Sequence, residues 1–167
     1  RTEGYDGRGV QVIESTFDIS KGFDKPSVLE AFVDFKKELS VIVARSANGE
    51  VKTFPAVELE FHPEQNLVEF LFCPADIAEN IAHEAERIAI DVAEKLGIVG
   101  LLAVELFLTH DDKILVNEVA PRVHNSGHHT IEGNITSQFE QHLRAILGLP
   151  LGATDVKIPS VMVNLLG

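Results

Sequence analysis

The chain has 167 residues, 45% of them hydrophobic and 24% charged, with a formal net charge of −12. That length supports one well-formed core, and the acidic balance argues against broad contact with nucleic acid or an anionic membrane. The single cysteine, Cys73, excludes an intramolecular disulfide and a cysteine-based zinc site. The apolar runs are too short and too interrupted for a membrane-spanning helix, and no secretory signal is visible, so a cytoplasmic protein is the simplest expectation.

In chain order, residues 4–9 (GYDGRG) form a glycine loop. Its spacing is neither a Walker loop nor a Rossmann fingerprint. Its N–H groups could wrap phosphate with Arg8 adding positive charge, and a plain surface turn is the competing reading. Val10 to Ile13 reads as a short strand, 15–23 as a short helix or turn, and VLEAFV at 28–33 as a strand leading into a connector. ELSVIVAR at 38–45 is apolar and β-branched, the mark of a buried strand. Asn48-Gly49 turns the chain into a return strand at 51–60, with another strand at 67–73. From 76 to 96 the period becomes helical, with Ile81, Ala85, Ile88, Val92 and Leu96 on one stripe and Gly97 as the stop. Strands at 101–109 and 113–119 make a hairpin. A last helix at 137–147 opens on the capping box Ser137/Glu140, buries Phe139, Leu143, Ile146 and Leu147, and ends at Gly148 and Pro150. The final VMVNLLG reads as a strand. The expected class is α+β, antiparallel strands with helices packed on one side. An opening on Arg1 without Met and a close on an apolar strand suggest a piece of a longer polypeptide.

The chemistry concentrates in the late hairpin. LLAVELFL at 101–108 carries Glu105, and KILVNEVA at 113–120 carries Glu118. An unpaired carboxylate inside an apolar run is expensive, and a divalent cation is the commonest good reason for one. If Asp111 and Asp112 form a two-residue loop, His110 faces Lys113 and Glu105 lies directly opposite Glu118. A solvated hairpin face is the bland alternative, and a slip of one residue would separate the pair. PRVHNSGHHT at 121–130 follows at once. His124, His128 and His129 raise a zinc reading, but Pro121, Ser126 and Gly127 break the helix it needs, and hard oxygen ligands suit Mg²⁺ or Mn²⁺ better. Histidines hydrogen-bonded within a loop are the plainer option. An exposed connector at Glu30–Val33 could meet an adenine edge, with Glu38 accepting ribose hydroxyls, though the spacing alone does not require it. His62 alone reads as a surface histidine.

GYDGRG, LEAFVDFKKELSVIVAR, VELFL, NEVAPRVHNSGHHTIEG and TSQFEQHLRAILGLPLG together resemble the carboxyaminoimidazole ribonucleotide synthases of purine biosynthesis. These ATP-grasp enzymes are also called the ATPase subunit of phosphoribosylaminoimidazole carboxylase. The resemblance covers essentially the whole chain, and NEVAPRVHNSGHHT is its most specific part. It implies that residues 1–167 are the body of an ATP-grasp domain, with the family's preceding N-terminal domain, its early ATP-binding lysines and its C-terminal basic site absent.

It also implies roles. Glu105 and Glu118 would hold Mg²⁺ (or Mn²⁺) on ATP, with Asn117 beside the phosphates. Glu30, Ala31, Phe32 and Val33 would contact adenine, Glu38 the ribose, and His62 the nucleotide. Gly4, Tyr5, Asp6, Gly7, Arg8 and Gly9 would form a loop shared by nucleotide and imidazole substrate, with Asp6 handling the amine's proton. Arg122, His124 and Asn125 would meet bicarbonate and carboxyphosphate. The implied reaction carboxylates aminoimidazole ribonucleotide with ATP and bicarbonate, in a full-length enzyme expected to be a homodimer without nucleic-acid or membrane partners. Another ATP-grasp carboxylate–amine ligase and a non-catalytic nucleotide-binding module are the alternatives.

Overall fold

The computed structural model describes residues 9–62 and 67–165. The apolar run centred on 39–44 becomes the long strand β1 (Phe35–Arg45), buried continuously from Leu39 to Ala44. It is continuous in hydrophobicity because both of its faces are covered. Ala47, Asn48 and Gly49 then make the turn, with Gly49 at φ +89° and Ser46 N–H donating to Glu50 O at 2.9 Å. The single return strand expected at 51–60 is two strands, β2 (Val51–Thr53) and β3 (Val57–Phe61), both paired to β1. Pro55 divides them, because its nitrogen has no proton for the ladder. β4 (Val68–Cys73), β5 (Gly100–Thr109), β6 (Ile114–Ala120) and β7 (Ser160–Val163) complete a seven-stranded sheet in the order β6-β5-β1-β3-β4-β7, with β2 beside β1. Every pairing is antiparallel.

The expected helix at 76–96 is α1 (Glu79–Leu96), ending on Gly97 in the left-handed conformation at φ +62°. Its Ile81, Ala85, Ala89 and Ala93 pack on Leu39, Val41, Val43, Leu102 and Val104. Alanines at the contact let helix and sheet approach closely. Leu96, expected on this stripe, is exposed.

The helices are not confined to one side. The other face of β1 and β5, with Ile42, Ala44, Leu101 and Ala103, packs on Ala145 of α3 (Gln138–Ile146) and on Leu151. Between β6 and α3 the chain makes a 3₁₀ turn at Asn125–Gly127 and one helical turn, α2 (Thr130–Gly133). The stripe expected to be buried on α3 is turned outward: Phe139 is 39% exposed and Leu143 54%. The inward residues are Gln138, Gln141 and Ala145. The cause is what α3 covers. Gln141 hydrogen-bonds both N–H and C=O of Gly152, and Gln138 does the same for His124. Buried loop backbone demands amide partners, and that demand overrides the apolar pattern.

Two expected strands are absent. Val10 makes only a bridge and 11–14 are irregular; residues 24–34 are irregular too, with Val28 and Leu29 exposed. Neither segment has a neighbouring strand among the described residues to satisfy its backbone. The short helix or turn expected at 15–23 is a 3₁₀ helix, Thr16–Lys21.

Candidate active site

α3 and its loops cover only one end of their face of the sheet. The other end carries Glu38 and Ser40 of β1, Glu105 and Phe107 of β5, and Glu118 of β6. Alternation along β1 puts Glu38 and Ser40 on one face; Ser40 is directly opposite Glu105, and Glu105 directly opposite Glu118.

The facing of Glu105 and Glu118 was expected, but it arises by a different route. The hairpin loop has three residues, His110, Asp111 and Asp112, not two: Thr109 N–H donates to Lys113 O at 2.9 Å, and Asp112 has φ +61°. This is a turn followed by a left-handed residue. It shifts the register by one, so Leu108 pairs with Ile114 and Leu106 with Val116. A β-bulge then restores it, because Asn117 is an extra residue between Val116 and Glu118. Asn117 and Glu118 thus both oppose Glu105, the two-against-one arrangement by which bulges re-aim side chains.

The electrostatics are unfavourable without a partner. Burial first, then the charges of Glu118 and Glu38, push the Glu105 carboxyl up to about 7, with Arg122 opposing. Burial and Glu118 push Glu38 up to about 7 as well. Among the described residues no three His, Cys, Asp or Glu side chains converge to cage an ion. Two hard oxygen ligands that face each other across a strand pair still fit Mg²⁺ or Mn²⁺, which take one or two carboxylates and complete their shell with phosphate and water.

The loop after β6 closes this end. His124 Nε2 is 3.4 Å from Glu105 Oε1. Burial first, then Arg122 and His128, lower the His124 pKa to about 4, so the ring is neutral near pH 7. Arg122 is exposed, close enough to act electrostatically on both Glu105 and His124, and its Nη1 donates to Val123 O at 3.0 Å. Asn125 opens the 3₁₀ turn. The three histidines of the zinc reading go separate ways: His124 to Glu105, His128 onto the Phe139 ring with centroids 5.7 Å apart, and His129 into the interior, where burial lowers its pKa to about 4.

Residues 30–33 run as an exposed connector into Phe35, whose ring stacks on Phe107 at 4.5 Å beside the carboxylates. His62 follows β3 at the same end of the sheet, its N–H donating to Leu67 O at 2.8 Å. Gly4, Tyr5, Asp6, Gly7 and Arg8 lie outside the described residues. Gly9 has φ +119°, where a side chain would be strained. Two cavities, of about 430 and 280 Å³, lie around Lys37 and Asp76, and neither is lined by Glu38, Glu105 or Glu118.

Three residues of the site escape a reading of motifs: Ser40, Ser126 and Gln138. Ser40 left a signal, as the lone hydroxyl in an apolar run, two residues from Glu38. Gln138 left none, since a polar residue at a helix start is ordinary.

The comparisons with known proteins bear on this geometry. A model of the ATP-grasp domain matches residues 1–139. The chain belongs to the ATP-grasp family. This ATP-grasp chain is 49% identical over 168 residues to the N5-carboxyaminoimidazole ribonucleotide synthase of Bacillus subtilis (strain 168), covering 98% of this chain and 44% of that protein. It therefore spans less than half the length of that relative. Among solved structures it is similar to the N5-carboxyaminoimidazole synthetase of Staphylococcus aureus complexed with ADP, at 34% identity and a TM-score of 0.90, over 98% of this chain and 44% of that one. It is also similar to the N5-carboxyaminoimidazole synthase of Aspergillus clavatus in complex with ADP and 5-aminoimidazole ribonucleotide, at 39% identity and a TM-score of 0.77, over 81% and 36%. No helix among the described residues is long and apolar enough to cross a membrane.

Proposed function

We propose that residues 1–167 form the ATP-grasp body of a cytoplasmic ligase that uses ATP to activate bicarbonate and carboxylates the exocyclic amine of 5-aminoimidazole ribonucleotide in purine biosynthesis. The observation that carries this is Glu105 facing Glu118 across a bulged strand pair, in a chain similar to a synthase solved with ADP and that ribonucleotide. Glu105 and Glu118 would hold Mg²⁺ or Mn²⁺, which when bound neutralises charge on the transferring phosphoryl group. Asn117, beside Glu118 on the bulge, would touch the phosphates. Glu30, Ala31, Phe32 and Val33 would meet the adenine, Glu38 the ribose and His62 the nucleotide.

A bicarbonate oxygen attacks the γ-phosphorus, the bond to ADP breaks, and carboxyphosphate forms. The substrate amine then attacks its carbonyl carbon and phosphate leaves. Arg122 would steady the anions, with His124 and Asn125 beside it. Asp6, within GYDGRG, would accept or orient the amine's proton. Excluding water protects the labile intermediate. The full-length enzyme is proposed as a homodimer, and the apolar outer face of α3 supports a surface that other protein covers.

The intact protein should release phosphate from Mg-ATP only when bicarbonate and aminoimidazole ribonucleotide are both present. Release that depends on a different amine would indicate a sister ligase. Mg-ATP binding without release under any combination would indicate a nucleotide-binding module.

A further inference from the structure

Behind Glu105 lies a file of buried polar groups. Ser40, opposite Glu105 on β1, is 1% exposed, and its Oγ is 2.8 Å from Ser126 Oγ. Ser126 is 3% exposed, and its Oγ lies 2.9 Å from His124 Nδ1. The backbone N–H of Ser126 also donates to Nδ1, at 3.3 Å. Across the ring, Nε2 faces Glu105 Oε1.

These contacts determine where the ring proton sits. A backbone N–H can only donate, so Nδ1 offers it a lone pair, and the proton of the neutral imidazole is on Nε2. Ser126 Oγ–H can then donate to Nδ1 as well, which leaves Ser126 Oγ to accept from Ser40. The donors from Ser40 through Ser126 to His124 point the same way, each bond polarising the next, and the Nε2–H that results lies 3.4 Å from Glu105 Oε1. The main chain of His124 is fixed independently. The Gln138 side chain, fully buried, accepts from His124 N–H at 2.9 Å and donates to His124 C=O at 2.7 Å.

We propose that Ser126, seated on Ser40, fixes His124 as the Nε2–H tautomer, so that His124 is a standing hydrogen-bond donor toward Glu105 and not a proton acceptor. This rests on the reading of Glu105 as a cation ligand. A ligating carboxylate with one oxygen held by a neighbour presents the other in a set direction. Ser126 and Ser40 are then positioning residues, and the base for the amine's proton lies elsewhere in the site.

The test is ¹⁵N NMR of the histidine-labelled intact protein near neutral pH, with His124 assigned by its loss in His124→Gln. The expected spectrum has an unprotonated Nδ1 and a protonated Nε2. Ser126→Ala should blur that preference and lower kcat by roughly 10-fold or more, in the range for losing an outer-shell partner. Ser40→Ala should act in the same direction more weakly, and it leaves the loop's own residues in place. His124→Gln carries an amide N–H where Nε2–H was and should outperform His124→Asn. A protonated Nδ1 in the wild type, an unchanged spectrum and turnover in Ser126→Ala, or His124→Asn matching His124→Gln would overturn the proposal. The spectrum needs no turnover. The expected tautomer in a protein that never releases phosphate would uphold the donor file and overturn the carboxylation reading.

Discussion

Glu105 gathers more of the site's electrostatics than any other residue. Its side chain is 13% exposed, and Glu118 faces it. Two carboxylates so placed repel unless a proton or a cation intervenes. Glu105→Gln and Glu118→Gln should each reduce Mg-dependent ATP hydrolysis by at least about 100-fold, since loss of outer-shell partners alone costs about 10–100-fold. Thermal melts should show the fold retained, and wild-type hydrolysis in both variants would refute the assignment. The raised carboxyls also fix a sign. Glu105 and Glu38 hold their protons in the folded chain up to about 7. Without a cation their contribution to stability is therefore complete below the ordinary carboxylate range and is lost as pH rises through about 7. Cation binding needs the ionised form, so Mn²⁺ affinity with nucleotide, read by titration calorimetry, should rise with pH through about 7 and level off above it. Glu105→Gln should flatten most of that rise; a pH-independent wild-type affinity would contradict the coupling. Arg122 offers a planar fork suited to bicarbonate or a phosphoryl group, which lysine lacks. Arg122→Lys should lose carboxylation by about 100-fold or more while keeping ATP affinity. Falling stability and ATP affinity with unchanged turnover per folded molecule would assign Arg122 to structure instead.

At the scale of elements, the late hairpin shows what the sequence holds and what it hides. The pairing of Glu105 with Glu118 is legible, because both sit in apolar strands around a short polar turn. The route is not. A three-residue loop and a bulge at Asn117 shift the register by one in opposite senses and cancel, and neither leaves a mark in the hydrophobic pattern. Removing Asn117 should leave Glu118 opposite Glu105 in an unbroken ladder. That deletion should therefore keep Mn²⁺ binding and weaken affinity for the triphosphate, measured by calorimetry; loss of Mn²⁺ binding would mean the bulge itself sets the carboxylates. α3 is the converse case. Its apolar stripe reads as buried, yet glutamines face inward because they cover loop backbone, a demand set by chain segments distant in sequence. Gly127 shows how tightly that layer sits. A Cβ there would lie 2.3 Å from Ile42 Cδ1 and 2.6 Å from Gln138 Cδ. Gly127→Ala should cost about 1–3 kcal/mol in denaturant unfolding and loosen His124.

Across the whole molecule, one sheet is asked to do two things. Its α1 face is apolar over β1 and β5 and supplies most of the core, with the Lys37–Glu58 ion pair at its margin. Its other face is apolar where α3 and the Leu151 segment cover it and over β3 and β4, where Val57, Leu59, Leu71 and Cys73 are buried, and it is acidic at Glu38, Glu105 and Glu118 between them. Alternation along the strands makes this division legible: Leu39, Val41 and Val43 against Glu38 and Ser40 on β1, and Val104 and Leu106 against Glu105 on β5. What covers the acidic end is not legible, since Arg122 to Asn125 reach it through a loop whose path depends on buried partners in α3. The central claim is that this acidic end supports phosphoryl transfer to bicarbonate. The most direct measurement is to supply the intact protein with Mg-ATP, aminoimidazole ribonucleotide and ¹⁸O-labelled bicarbonate, and to weigh the released phosphate. Attack by a bicarbonate oxygen leaves one ¹⁸O atom in each phosphate, with no release from Glu105→Gln or Glu118→Gln. Unlabelled phosphate, or label that appears equally in those variants, would contradict it.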